Sequence, residues 1–391
     1  MNEVYIITGA RSYIGVEQGM YRHVPAEQLG AFVVGKVIEK MGDTFGVEDI
    51  DLVIAGNGVG AGGNIARLMT LTAKLPESIP AFSVDLQCGS GLESIAIGAA
   101  KIKSGQAQVV LAGGFESSST APRRGYHRNH PDFEKYEKIY KDGWYPVAKF
   151  APGEHREKTM LEGAEKTALW YEITREQLNP WVLGSHAAAI KAEQEGILDD
   201  VLVEVLKGCN KDEGIRHQMS EKLLNRLPLI LPEGQVLTVA NTCLTNDGAA
   251  FVMLASKEYV KAHHLKPMGK FLDVVEVGGD PSMSPQTAIL AVEKMLHKHH
   301  LSPEQIDIYE CNEAFAVIDE LFCRRFGKEL MNRYNIYGGA LAYGHPYGAS
   351  GGIITLHGLT ALKNTGGTYG IFSVAAAGGV GTAILVENMW F

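Results

Sequence analysis

The 391-residue chain lacks the cysteine pattern of a stapled or zinc-bound domain. Its five cysteines are an odd number, widely scattered and without a CxxC pair. That excludes a disulfide scaffold and a zinc ribbon and points to a reducing compartment. No run of about 18 apolar residues occurs, so no membrane-spanning helix is expected. Positive charge is also short. The 36 Lys and Arg against 45 Asp and Glu leave a net charge of −9, which argues against a nucleic-acid or anionic-membrane binder as a whole-chain property. The N-terminal run Met1–Ala10 has no basic region of the secretory kind, and the final Met389-Trp-Phe391 is no recognised address tripeptide. The expectation is a cytoplasmic protein. His127, His130 and the His297, His299, His300 group have no acidic or cysteine partners nearby in sequence, so no metal site is expected.

What is present is a large apolar fraction, 46% of residues against 21% charged, enough for a substantial core in two or three domains. Glycine is in excess, 45 residues in the chain against a usual share of about 7%. Val4–Thr8 reads as a strand turning at Gly9, and Ala26–Lys40 has apolar residues at helical spacing. Strands are expected at Ile50–Ala55, Phe82–Leu86 and Val109–Ala112, with a helix over Leu92–Lys103. The C-terminal third repeats this order: helix Pro285–His297, strand Ile306–Glu310, Asn335–Tyr337 leading into Gly338-Gly339, a helix to about Leu362, and strand Tyr369–Val374. Asp51 and Asp307 lie 256 positions apart, Gly91 and Gly348 257, and Pro25 and Pro285 260. A constant offset of strand–helix–strand units implies two similar α/β halves. The expected domains are 1–118 with 233–265, a more polar inserted segment 119–232, and 266–391. Within the insertion Thr174–Glu195 reads as a helix; Gln235–Ala240 and Ala249–Ala255 read as strands returning to the first half.

Cys88 lies in Asp85-Leu-Gln-Cys-Gly-Ser-Gly-Leu-Glu93, between a strand and a helix. A helix N-terminus favours thiolate over thiol, so Cys88 reads as a nucleophile, with a small buried core cysteine as the alternative. His345 occupies the equivalent turn of the second half. Two halves about a pseudo-twofold axis would bring both turns to one site, where a His can activate a thiol. Asn312, at a strand end, could orient a water or an oxyanion. Two segments mimic oxidoreductase motifs. In Thr8-Gly-Ala-Arg-Ser-Tyr-Ile-Gly15, Tyr13 stands where a pyrophosphate needs glycine; in Tyr145-Pro-Val-Ala-Lys149, Pro146 argues against a catalytic helix.

The blocks Cys88-Gly-Ser-Gly91, Asn312-Glu-Ala-Phe315 and Gly344-His-Pro-Tyr-Gly-Ala-Ser-Gly351 resemble the signatures of the thiolase family. Gly62–Arg67, Ala112–Ser117, Asp212–His217 and Asn246–Ala249 resemble further thiolase segments, in family order, over nearly the whole chain. The resemblance implies a five-layer αβαβα fold, a homodimer or homotetramer, and acyl-CoA and coenzyme A as substrates with no tightly bound cofactor. It implies that Cys88 becomes acylated, that His345 activates it, and that Asn312 holds a water of the oxyanion hole. Backbone N–H groups of Cys88 and of the loop at Ala377 and Gly378 would form a second hole. Arg216 matches a coenzyme-binding arginine, and a guanidinium suits phosphate. Cys243 stands where the family often has a coenzyme-contacting serine, with passive packing as the alternative. Met160 and Phe315 complete the expected substrate contacts.

One departure matters. The family's C-terminal acid/base cysteine is Ala375 here, in Phe372-Ser-Val-Ala-Ala-Ala-Gly-Gly-Val-Gly381. Alanine cannot titrate, and a positioned acid/base is commonly worth about 10²–10⁴-fold. Cys311 is a substitute only if it faces the site, and strand alternation should point it away from the side of Asn312. Another group of the family carries its cysteine at the position of Ala314. Cys209 and Cys323 read as ordinary thiols. The expected activity is cleavage or formation of a 3-ketoacyl-CoA through acyl-Cys88. The alternatives are an acyltransferase or partner subunit without efficient carbon–carbon chemistry, and a non-catalytic acyl-CoA-binding protein.

Overall fold

The computed structural model describes residues 2–42, 45–140, 143–153 and 157–390. Its strands are β1 (Val4–Ser12), β2 (Gly15–Val16), β3 (Leu52–Gly56), β4 (Ala81–Val84), β5 (Val109–Ser117), β6 (Leu202–Val203), β7 (Asn246–Ser256), β8 (Gly269–Gly278), β9 (Ile308–Cys311), β10 (Tyr369–Ala376) and β11 (Val380–Asn388). They follow the order β4-β3-β5-β7-β1-β8-β11-β10-β9, with β2 on β7 and β6 on β1. The two halves join at β1 and β8, antiparallel from Val4–Phe271 to Ile6–Gly269.

The duplication is visible in the pairing. In the first half β3 and β5 are parallel, and β7 and β1 follow antiparallel. In the second half β9 and β10 are parallel, and β11 and β8 follow antiparallel. β4 has a much reduced counterpart, a single parallel bridge between Tyr309 and Tyr334.

Helices supply the other three layers. Helices Ser90–Lys103 and Ser350–Thr365 pack on each other and on strands of both halves. The second is buried continuously from Ser350 to Leu362, as a helix covered on all sides must be. Helices Ala26–Lys40 and Ile65–Thr72 cover the outer face of the first half, and Thr287–His299 that of the second. The layers are therefore α, β, α, β, α. The central helices approach at their N-termini through glycine: a Cβ on Gly91 would lie 2.5 Å from the Gly348 carbonyl oxygen, and one on Gly351 1.9 Å from the Leu92 nitrogen. The repeat-equivalent turns thus meet.

Several local expectations change. β1 runs on through Gly9 to Ser12, because β7 pairs with it as far as Arg11 after a bulge between Ile6 and Thr8. The segment Thr8–Gly15, which mimics a dinucleotide-binding motif, is therefore mostly strand, and no helix starts before Ala26. Gln235–Ala240 forms no strand. The carboxylate of Glu165 accepts the N–H groups of Gln235, Val236 and Leu237 and so replaces a strand partner. β8 and β11 add two strands that the sequence reading does not name. The inserted segment is anchored by a buried ion pair: Arg11 on β1 donates to both oxygens of Asp212 at 2.9 and 3.0 Å, and Asp212 also accepts the Ile14 N–H at 2.7 Å. Among the described residues, no helix is long and apolar enough to cross a membrane.

Candidate active site

Between β4 and the central helix Ser90–Lys103 the chain turns sharply. Gln87 takes the left-handed conformation, φ 50°, an uncommon state for a non-glycine residue. The Ser90 hydroxyl holds the turn, accepting the Leu86 N–H at 2.9 Å and donating to the Gln87 carbonyl at 2.6 Å. Cys88 therefore sits at the mouth of the helix with its side chain buried. Its own N–H and that of Ala377 both point at the sulfur.

His345 is set on the facing turn. Its N–H donates to the Asn246 side chain at 2.8 Å, and Asn246 donates in turn to the Gly15 carbonyl. The ring Nδ1 is 2.6 Å from the Ser350 hydroxyl, which itself donates to the Pro346 carbonyl at 3.0 Å. The hydroxyl has one proton; given to Pro346, it leaves Nδ1 to carry the imidazole hydrogen and Nε2 its lone pair. The Asn312 amide nitrogen lies beside the ring, 3.3 Å from Nε2 and 3.5 Å from Nδ1. The tautomer is thus the one a general base requires.

Both turns open on one cavity of about 670 Å³, lined by Cys88, His345, Cys243, Met160, Phe315, Tyr347, Ala375 and Ala377 among others. The inserted segment covers it with residues 121–124, 144–148 and Phe150. Asn312 is buried behind His345 and reaches the cavity only through it. Gly378 follows the lining residue Ala377 and has φ +88°. Arg216 is not brought into the lining. It is exposed, and its guanidinium donates to the Glu213 carbonyl at 3.1 Å. Cys311 is buried in the second half's core, where its sulfur accepts the Ser373 hydroxyl at 3.1 Å; it does not line the cavity.

The charge state of the site differs from the sequence expectation. The helix begins at Ser90, two residues beyond Cys88, and burial acts against the thiolate. Burial pushes the Cys88 thiol up to about 12, against the two N–H groups that favour thiolate; Glu116 and Asp85 raise it further. Burial also pushes His345 down to about 3. Both shifts favour a neutral thiol and a neutral imidazole, the charge states that cost least in buried surroundings. Burial raises the Cys243 thiol as well, and the nearby Cys88 adds to the shift.

Ser350, Tyr347 and Glu116 had been given no role from sequence. Ser350 lies in the quoted Gly344–Gly351 block, five positions past His345, where its register with the ring is invisible. Glu116 had a usable signal: it is the lone charge in the strand Val109–Ser117, whose residues are all buried.

Comparison with known proteins agrees with this geometry. Residues 4–258 match the family model for the thiolase N-terminal domain and residues 265–388 that for the thiolase C-terminal domain. The chain is 33% identical over 403 residues to the acetyl-CoA acetyltransferase of Syntrophomonas wolfei, covering 99% of each chain. It is 32% identical over 389 residues to the YhfS protein of Bacillus subtilis, again over 99% of each. Among solved structures, the acetyl-CoA acetyltransferase of Bacillus anthracis superposes with a TM-score of 0.89 at 29% identity, over 99% of both chains. Human mitochondrial 3-ketoacyl-CoA thiolase in complex with CoA superposes with a TM-score of 0.85 at 28% identity, over 99% of this chain and 98% of that one. With both family models matched over nearly its full length, and with the duplicated halves meeting at a cysteine and a histidine, the chain belongs to the thiolase family.

Proposed function

We propose that this thiolase-type acyl-CoA acyltransferase works through an acyl-Cys88 intermediate. The observation that carries the proposal is the convergence on one cavity of the Cys88 thiol, the His345 ring and the Ala377 N–H. In the cleavage direction the Cys88 sulfur attacks the 3-keto carbon, and its proton passes to Nε2 of His345. The carbonyl oxygen gains negative charge, which N–H donors stabilise; the N–H groups of Cys88 and Ala377, which lie against the sulfur, take that role in this reading. The bond between C2 and C3 then breaks, and its electron pair leaves with acetyl-CoA as the enolate. Because Ala375 cannot titrate, the proton returns from His345 to the enolate carbon. Coenzyme A then attacks acyl-Cys88, its thiol proton passing to His345 and back to the Cys88 sulfur.

Asn312 keeps Nε2 oriented, and Cys243, Met160 and Phe315 contact the substrate. Arg216, exposed and outside the cavity, meets a coenzyme phosphate. The assembly is a cytoplasmic homodimer or homotetramer with no tightly bound cofactor. Incubation with acetyl-CoA followed by mass spectrometry should give an acetyl adduct on the Cys88 peptide; an unmodified Cys88 overturns the proposal. Ala375 favours a second reading, an acyltransferase whose carbon–carbon step is slow. Full-rate thiolysis of acetoacetyl-CoA by the purified protein rules that out.

A further inference from the structure

Glu116, near the end of β5, is wholly buried. Its carboxylate collects four donors. One oxygen accepts the Asn57 side-chain amide at 2.9 Å and the Val59 N–H at 3.3 Å; the other accepts the Gly58 N–H at 2.8 Å and the Gly348 N–H at 3.0 Å. Gly58 and Val59 line the cavity, and Gly348 belongs to the turn that carries His345. A Cβ on Gly348 would lie 2.7 Å from the Gly56 carbonyl oxygen and 2.8 Å from the Phe115 carbonyl oxygen, so that turn is wedged against the first half where the carboxylate grips it. The titratable groups facing Glu116 are Asp85 and Cys88 on the nucleophile segment and Tyr347 on the histidine turn.

We propose that Glu116 is a positioning residue: its ionised carboxylate clamps cavity loop 57–60 to the histidine turn and so fixes the imidazole relative to Cys88. All four contacts are donors, so only the fully ionised group satisfies them, and a proton on either oxygen would face donors alone. Burial pushes the carboxyl up to about 7, against the N–H groups of Gly58, Gly348 and Val59, and Asp85 raises it further. The clamp therefore loosens as pH falls through neutrality. His345, held down at about 3, cannot supply such a dependence.

The proposal rests on the acyl-Cys88 reading, and its test separates the two. In Glu116→Gln one oxygen becomes an NH₂ group, and whichever oxygen is lost, two of the four donors face another donor. The folded variant should lose about 10- to 100-fold in kcat, the scale of a displaced catalytic group, with KM for acetoacetyl-CoA within about threefold. Wild-type kcat should fall as pH drops through about 7, and this acid limb should be absent from Glu116→Gln. Asn57→Ala removes one donor from the carboxylate, so its acid limb should move to higher pH. A folded Glu116→Gln with kcat within about twofold of wild type, or with the wild-type acid limb, overturns the proposal. If Glu116→Gln does not fold, an unmoved limb in Asn57→Ala overturns it instead. Acetylation of wild-type Cys88 is measured in parallel, so a failed clamp with an intact adduct leaves the acyl-enzyme standing.

Discussion

Replacing Ala375 with cysteine should raise the rate of carbon–carbon cleavage sharply. Ala375 lies near the end of β10, paired with Gly381 on β11. It is 6% exposed, and that exposure is toward the cavity it lines with Cys88, Ala377 and Phe315. A sulfur added there on the cavity side should change stability by under about 1 kcal/mol, below the usual cost of overpacking a filled core. The new thiol shares the burial that pushes the Cys88 and Cys243 thiols up. It is therefore protonated at rest, ready to donate to an enolate carbon while His345 holds the proton of Cys88. A positioned acid of this kind is worth about 10²- to 10⁴-fold, or about 2.7 to 5.4 kcal/mol off the barrier. The assay is steady-state thiolysis of acetoacetyl-CoA, with Ala375→Ser as a control that adds similar bulk without an adequate acid. A folded Ala375→Cys enzyme with an unchanged rate would refute the reasoning, because proton delivery at this position would then not limit the reaction.

Ser350→Ala removes the acceptor of the His345 Nδ1 hydrogen; leaving a buried donor unmatched costs about 1–3 kcal/mol, so kcat should fall by about 5- to 150-fold with KM little changed. Unaltered kcat would show that the ring is held by other means. Asp212→Asn leaves the buried Arg11 charge without its carboxylate and should lower unfolding stability by about 3–5 kcal/mol in a denaturant titration; a loss under about 1 kcal/mol would contradict a dry ion pair. Alkylation of Cys88 by iodoacetamide in the free enzyme should climb about tenfold per pH unit from 7 to 10, because thiolate forms only as pH rises toward the raised pKa of the thiol. A plateau near neutral pH would mean that the resting site already holds a thiolate.

The parts of the fold legible in sequence are those set by local periodicity and by repetition. Helix Ala26–Lys40 is found at its expected bounds, because its apolar spacing stops where the buried face stops. Helix Arg175–Gln194 is opened by Thr174 and Gln177 in a capping box, close to the expected span. The meeting of Cys88 and His345 was readable because both occupy the same turn of a duplicated unit, so a symmetry argument could replace a missing contact map. What failed depends on partners distant in sequence. Gln235–Ala240 has strand-like residues, but its N–H groups are claimed by Glu165, some seventy positions away. Arg216 matches its motif, but its place outside the cavity lining could not be read from sequence, because it depends on how the insertion folds over the sheet. At Cys88 burial favours the neutral thiol over the thiolate that a place before a helix suggests, because a helix dipole is local and burial is not.

On the proposed mechanism, that burial changes how the site operates. A thiolate–imidazolium pair would store two charges in a cavity already facing Glu116 and Asp85, whose negative charge opposes a thiolate. A neutral pair avoids that cost and moves the charge separation to the moment of attack. The developing negative charge then sits on the substrate oxygen, near the N–H groups of Cys88 and Ala377, rather than on sulfur. The same N–H groups that only partly offset burial of the resting thiol can serve the tetrahedral intermediate in full, because its oxygen carries the charge they are placed to receive. Interactions stronger in the transition state than in the ground state are the ones that accelerate a reaction. Keeping Cys88 protonated until substrate arrives therefore preserves the donors' effect for the transition state. The burial that favours a neutral Cys88 is, on the proposed mechanism, part of how the attack is timed.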